Sequence, residues 1–117
     1  MRMFRRVVLV AASLVVVGCA GGGEAPSEVS LLGTNSLDFE PEELRVAAGI
    51  VEFELTSEEG AEHTLVIDEL DDELVVRADA GETATGQAEL AAGTFTLYCD
   101  VPGHREAGME ATLTVEE

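Results

Sequence analysis

A cysteine, a histidine and a methionine follow one another at equal spacing near the end of the sequence. They are Cys99, His104 and Met109, and the one other histidine, His63, lies upstream. A thiolate, two imidazoles and a thioether form a soft ligand set, which suits copper cycling between Cu(I) and Cu(II) and excludes hard cations. Zinc could occupy such a site but has no use for a thioether. We therefore expect these four candidate ligands to hold one type 1 copper ion, with the methionine as a weak axial ligand.

Each candidate ligand has a simpler interpretation when it is taken alone. A cysteine at a strand end is usually a small buried hydrophobe, a methionine usually fills a core, and a single histidine is more often a structural residue. The whole chain, however, has only 2 histidines and 2 cysteines. The convergence of so few residues favours one shared site, and a disulfide between Cys19 and Cys99 is the alternative that stays open.

The first 19 residues have the pattern of an export signal. Three arginines precede an apolar run, residues 7–17, which is followed by Gly18 and Cys19. This order is typical of a secretory signal peptide. An uncleaved membrane helix is the alternative, but eleven residues fall short of the roughly 20 that cross a bilayer. The sequence Val-Val-Gly-Cys also resembles the lipobox of bacterial lipoproteins, which implies cleavage after residue 18 and a lipid on Cys19. We expect an exported protein, lipid-anchored at the extracytoplasmic or periplasmic face of a bacterial membrane.

The rest of the chain divides into a linker and one domain. Residues 19–34 begin with the lipidated cysteine and are rich in Gly, Ala, Pro and Ser, which predicts a flexible linker. Residues 35–117 remain for a single domain, and the total of 117 residues leaves no room for a second one.

From residue 36 the apolar residues recur with a period of two, which predicts half-buried strands. The core-facing rows are Leu37 and Phe39; Leu44 and Val46; Val51, Phe53 and Leu55; His63, Leu65 and Ile67; Phe95, Leu97 and Cys99; and Met109, Ala111, Leu113 and Val115. A further short strand is predicted at residues 74–76, and the acidic segment 67–73 has room for one helical turn. About seven short strands without a long helix predict an all-β sandwich. His63, Cys99 and Met109 each end a row, so we expect them at one pole of the sandwich.

The segment from Tyr98 to Ala111, with the spacing Cys-x4-His-x4-Met, resembles the copper loop of the plastocyanin and azurin family, the cupredoxins. The upstream stretches that also fit are Phe39-Glu40-Pro41, Val46-Ala47-Ala48-Gly49 and Glu62-His63-Thr64-Leu65, so the resemblance covers about residues 36–117. It implies a Greek-key β-sandwich of about seven to eight strands. It also implies that Cys99 and the Nδ1 atoms of His63 and His104 are strong ligands, with Met109 axial.

One position departs from the family pattern. The residue after the first ligand histidine is commonly Asn in plastocyanin and azurin, where it ties the two ligand loops together. Here it is Thr64. We therefore expect the contact between the ligand loops to be weaker or to be built differently.

The ligand set points to electron transfer and away from catalysis. Four protein ligands leave no open position for a substrate, and no histidine remains for a second copper centre. The family resemblance implies that His104, with Pro102, Gly103 and Ala107 around it, forms the docking patch. It also implies that Tyr98 is a second route towards an acidic patch. Two alternatives stay open: a copper-delivery protein without redox turnover, and a domain that has lost its metal and acts only as an interaction module.

Charge is the extreme property of this chain. The formal net charge is −18 and lysine is absent. Cleavage after residue 18 would leave three arginines against 24 acidic residues, a net charge of −21. This favours a cationic redox partner such as a basic cytochrome c domain, attracted electrostatically, although a solvated or salt-adapted exterior would have the same composition. We expect a monomer without a nucleic-acid partner.

Overall fold

The computed structural model describes residues 27–117, so the predicted signal peptide, residues 1–18, and the predicted lipidation site Cys19 lie outside the described part of the chain. The strands along residues 27–117 are β1 (Ser27–Gly33), β2 (Phe39–Glu40), β3 (Glu43–Ala47), β4 (Gly49–Ser57), β5 (His63–Ile67), β6 (Glu73–Ala78), β7 (Thr83–Leu90), β8 (Gly93–Tyr98) and β9 (Glu110–Glu116). One 3₁₀ helix, Asp68–Leu70, joins β5 to β6. Within the same residues, no helix has the length and apolar character needed to cross a membrane.

The strands form two sheets that enclose one core. One sheet has the order β2-β1-β4-β7 and the other the order β3-β9-β8-β5-β6. The pairs β1–β4 and β3–β9 are parallel, and the other pairs are antiparallel. Alternate residues of a strand point to opposite faces, so each sheet contributes one apolar row to the core. The inward residues include Val29, Leu31, Val51, Phe53, Leu55, Leu65, Ile67, Leu97, Ala111, Leu113 and Val115. The predicted β-sandwich is therefore confirmed, with nine strands in the described residues instead of seven to eight.

The predicted linker is too long at its C-terminal end. Residues 27–33 were expected to be flexible, but they form β1, which pairs along its whole length with β4. Val29 and Leu31 are buried in the core. These two are the only large apolar residues of β1 that face the core, so the period-two pattern is short. It also follows a Gly-rich stretch, which is typical of a linker. The ordered domain therefore includes β1 instead of beginning at residue 35.

The strand β7 has no counterpart among the predicted strands. Its inward positions before Leu90 are Ala84, Gly86 and Ala88, which give little apolar periodicity. A Cβ atom at Gly86 would lie 2.1 Å from the carbonyl oxygen of Val75 on β6. Close approach of β6 to β7 thus requires small residues, and these weaken the strand signal in the sequence.

Between β5 and β6 the acidic segment does contain the expected helical turn, at Asp68–Leu70. The predicted strand at residues 74–76 is part of the longer β6, although Leu74 is half exposed. Leu37 does not continue the row of Phe39, because it lies in a turn before β2 with a φ of 61°. The remaining predicted rows follow the strands closely.

Candidate metal centre

Three strand ends meet at one pole of the sandwich and bring the candidate ligands together. His63 is the first residue of β5, Cys99 follows the last residue of β8, and Met109 precedes the first residue of β9. Tyr98 of β8 pairs with Glu110 of β9, so the chain leaves and re-enters neighbouring strands at the same level. This arrangement fixes both ends of the loop that contains His104.

The donor atoms of three candidate ligands lie within 4.8 Å of one another. The Sγ atom of Cys99 is 3.4 Å from Nδ1 of His104 and 4.0 Å from Nδ1 of His63. The two imidazole rings are 5.2 Å apart and inclined at 57°. Cys99 is buried and forms no disulfide within residues 27–117. The Nδ1 atoms of both histidines face the sulfur, as the family resemblance implies.

Met109, the fourth candidate ligand, is held next to the other three by backbone hydrogen bonds. Its side chain is fully buried in the core. Its backbone N–H donates to the carbonyl oxygen of His104 at 3.1 Å, and its own carbonyl oxygen accepts from the N–H of Cys99 at 3.2 Å. These two bonds tie the beginning, middle and end of the loop together around the donor atoms.

The spacing of the donor atoms fits a metal ion. A four-coordinate ion with bonds of about 2.0–2.3 Å holds its nitrogen and sulfur donors roughly 3.5–4 Å apart. The two Sγ–Nδ1 distances, 3.4 and 4.0 Å, agree with this separation. The donors are soft and come from a buried thiol and two imidazoles. Copper is the ion that this donor chemistry favours.

A compact series of turns holds His104 at the middle of the loop. The N–H of His104 donates to the carbonyl oxygen of Val101, and the N–H of Ala107 donates back to the carbonyl oxygen of His104. Gly103 has a φ of 86°, a conformation that glycine adopts at little steric cost. The loop presents His104 partly exposed, with Pro102 and Ala107 exposed beside it.

His63, in contrast, is completely enclosed. A Cβ atom at Gly33 would lie 2.5 Å from Cδ2 of His63, so the ring packs directly against the backbone of β1. Burial lowers the pKa of His63, and the nearby His104 lowers it further. The Thr34 backbone raises the same pKa by less than these effects lower it, and Nε2 has no hydrogen-bond partner of good geometry among the described residues. The lowered pKa favours the neutral ring, which is the form that binds a metal.

Thr64 makes the contact between the ligand loops that the sequence left undefined. Its backbone N–H donates to Sγ of Cys99 at 3.4 Å. Its hydroxyl donates to Oδ1 of Asp100 at 2.6 Å and accepts from the N–H of Asp100 at 2.9 Å. Thr64 and Asp100 thus connect the two loops by a reciprocal pair of hydrogen bonds. Asp100 was not among the predicted site residues, and its position directly after Cys99 is the only sequence signal for it.

Tyr98 lies under other side chains instead of forming an open surface. The guanidinium carbon of Arg105 is 3.9 Å from the centre of the Tyr98 ring, and the phenol donates to Asp72 at 2.7 Å. Arg105 also forms ion pairs of 2.8 Å with Asp68 and Glu110. The family resemblance implied an outward route at Tyr98, but only 7% of this residue is exposed. Arg105, which sequence reasoning did not single out, covers it.

Comparisons with known proteins agree with this geometry. A model of the cupredoxin-like domain family matches residues 7–115. No curated protein sequence matches the chain. Similar solved structures include auracyanin A, described as a "blue" copper protein from the green thermophilic photosynthetic bacterium Chloroflexus aurantiacus, with 21% identity and a TM-score of 0.67 over 79% of this chain and 100% of that one.

Two further auracyanin structures have the same fold. Auracyanin B is 22% identical, with a TM-score of 0.66 over 82% of this chain and 94% of that one. Reduced auracyanin from the photosynthetic bacterium Roseiflexus castenholzii is 21% identical, with a TM-score of 0.60 over 80% and 100%. Since the family model spans most of the sequence, the chain belongs to the cupredoxin-like family, and its four candidate ligands are arranged as a type 1 copper site.

Proposed function

We propose that this protein carries electrons on one copper ion at the outer face of a bacterial membrane. The observation that carries the proposal is the buried cluster of Cys99 Sγ and the two Nδ1 atoms, within 4.8 Å of one another. With Met109 as the fourth ligand, copper has no free position for a substrate. When bound, copper supplies a one-electron Cu(I)/Cu(II) couple, which is the chemistry of a carrier.

The protein around the site supports this role by keeping the ligands in place. His63 and Met109 are fully buried between the sheets, and the loop is closed by hydrogen bonds at both ends. A site held in one geometry needs little rearrangement when copper gains or loses an electron. The rigid frame therefore favours rapid exchange.

The exposed edge of His104 is the proposed electron exit. Pro102, Gly103 and Ala107 surround it and are exposed. They carry no charge, so a partner can approach closely without displacing bound counterions. We propose these four residues as the docking patch, and a cationic redox protein such as a basic cytochrome c domain as its partner, given the acidic composition of the chain.

The direction of β1 supports a particular orientation at the membrane. Gly33, at the end of β1, packs on His63, and Ser27 lies at the other end of the strand. Seven residues at about 3.3 Å each separate these ends by roughly 20 Å. Ser27 therefore lies at the end of β1 away from the copper site, and a lipid attached upstream of that end would leave His104 facing a partner.

The decisive experiment is to express residues 20–117, add Cu(II) and record the visible spectrum. We expect an intense thiolate-to-copper charge-transfer band and a stoichiometry of one copper per chain. Cys99→Ser should abolish the band, whereas Ser30→Ala, an exposed change on β1, should leave it intact. A wild-type protein without the band, or a band that survives Cys99→Ser, would overturn the assignment.

The membrane anchor needs a separate test. In cells that express the full chain, we expect the protein in the membrane fraction and Cys19→Ala in the soluble exported fraction. Incorporation of a labelled fatty acid should be lost in the same variant. A protein that stays in the membrane fraction without Cys19 would contradict the lipoprotein proposal but not the copper site.

A further inference from the structure

The hydroxyl hydrogen of Thr64 has two acceptors within reach. Oδ1 of Asp100 lies 2.6 Å from Oγ1, and Sγ of Cys99 lies 3.6 Å from the same atom. A hydroxyl carries a single hydrogen. The shorter bond, to a carboxylate, is of the charge-assisted kind and is much the stronger of the two. The hydrogen therefore points to Asp100, and Thr64 turns a lone pair towards the sulfur.

The position of Oγ1 does not depend on the Asp100 side chain. The backbone N–H of Asp100 donates to Oγ1 at 2.9 Å, and Thr64 itself is 1% exposed. Loss of the carboxylate would therefore leave Oγ1 where it is and free only its hydrogen. That hydrogen would then turn to the sulfur, which is within hydrogen-bonding distance for a sulfur acceptor.

The structure assigns to Asp100 the role of a positioning residue: by holding the Thr64 hydroxyl hydrogen, it limits the hydrogen bonds on the Cys99 thiolate and so keeps the copper potential low. The inference rests on the proposed copper site. Among the described residues, Sγ of Cys99 accepts one backbone N–H, that of Thr64 at 3.4 Å. A second donor would withdraw electron density from sulfur, weaken its donation to Cu(II) and raise the potential.

Two substitutions of Asp100 separate the carboxylate's charge from its role as an acceptor. Asp100→Ala removes both, whereas Asp100→Asn removes the charge but keeps an acceptor oxygen. We expect Asp100→Ala to shift the reduction potential upward by more than Asp100→Asn does. The charge-transfer band should move to shorter wavelength only in Asp100→Ala, because a hydrogen bond lowers the energy of the sulfur lone pairs.

The same comparison in a Thr64→Val background supplies the control. Without the hydroxyl there is no hydrogen to redirect, so Asp100→Ala and Asp100→Asn should shift the potential equally and leave the band in place. Thermal unfolding of the copper-free variants checks that each one folds. The inference is overturned if the two Asp100 variants shift the potential equally with Thr64 present, or if Thr64→Val leaves their difference unchanged. A wild-type protein without the band would instead refute the copper site itself.

Discussion

The phenol of Tyr98 is the clearest case of a single group whose chemistry is set by its neighbours. Its hydrogen bond to Asp72 raises its pKa from 10.0 to about 12, and burial adds to the shift. Deprotonation would break this bond and put a phenolate beside a carboxylate. Since the folded-state pKa is raised, the bond stabilises the fold fully below pH 10 and is lost as the pH rises through about 12.

We therefore expect Tyr98 to titrate near pH 12 in the folded protein and near its ordinary value when urea unfolds it. The chain has 1 tyrosine and no tryptophan, so phenolate absorbance reports this group alone. Asp72→Asn should lower the folded-state pKa towards 10, because the carboxylate charge is gone. Asp79→Asn, another exposed acidic change, serves as the matched control. A titration unaffected by Asp72→Asn would contradict the assigned contact.

For single residues, the sequence predicts the metal ligands better than it predicts the residues that contact those ligands. The soft donor types and their spacing lead to the four candidate ligands without any structure. The sequence shows Thr64 only as a departure from the Asn that is common in the family. Its contact with Asp100 cannot be predicted without knowing that β5 pairs with β8. The packing of Gly33 on His63 involves two opposite sheets. No local pattern encodes such a contact.

Besides the strands that position the ligands, β1 also contacts the metal centre directly. Gly33 ends β1, and a Cβ atom there would lie 2.5 and 2.8 Å from ring atoms of His63. We expect Gly33→Ala to displace the His63 ring, weaken copper binding at least tenfold and destabilise the copper-free protein by about 1–3 kcal/mol, as overpacking does.

Competition with a copper chelator measures the affinity of Gly33→Ala, and urea unfolding of the copper-free protein measures its stability. Ser30→Ala is the control on the same strand, since residue 30 is exposed. The contact between β1 and the site would be refuted if Gly33→Ala bound copper as tightly as the control.

The copper loop is also fastened to the outer side of its sheet, through Arg105. This side chain contacts Tyr98 and pairs with Asp68 beyond β5 and Glu110 on β9. We expect Arg105→Gln to lower the free energy of unfolding by about 1 kcal/mol, since partly exposed ion pairs and a single cation–π contact each contribute roughly that much or less. Copper should also dissociate faster, because the loop loses its contact with the 3₁₀ helix.

Arg45→Gln is the matched control for this prediction. Arg45 is more exposed and, within residues 27–117, pairs only with Glu116, at the end of β9 away from the copper loop. Its loss should cost less stability and leave copper dissociation unchanged. Urea unfolding and chelator-driven release measure the two effects. Equal release rates in the two variants would mean that Arg105 does not restrain the loop.

How well each strand can be predicted follows from the size of its inward residues. β4, β5, β8 and β9 carry large apolar side chains at alternate positions, and the pattern identifies them. β7 faces inward with Ala and Gly, because β6 approaches it closely. β1 was predicted as part of the linker because a Gly-rich segment precedes it in the sequence. Both strands form because other strands pair with them, which is tertiary information.

For the molecule as a whole, charge predicts how reaction rates depend on salt. With residues 1–18 removed, three arginines face 24 acidic residues. Raising the ionic strength from 0.01 to 0.1 M shortens the screening length from about 30 to about 10 Å. We expect electron transfer with a cationic cytochrome c to slow over this range, because attraction is screened. Self-exchange between two acidic copies should instead accelerate, because repulsion is screened.

Stopped-flow mixing with a reduced cationic cytochrome c measures the first rate, and NMR line broadening in mixtures of Cu(I) and Cu(II) protein measures the second. A small anionic oxidant provides the control, and its rate should rise with salt in parallel with self-exchange. The cytochrome rate should fall with salt while the other two rates rise. This difference is informative, because a general effect of salt on the copper site would change all three rates in one direction. A cytochrome rate that is independent of salt would mean that the acidic surface does not attract the partner, which leaves solvation or salt adaptation as its role.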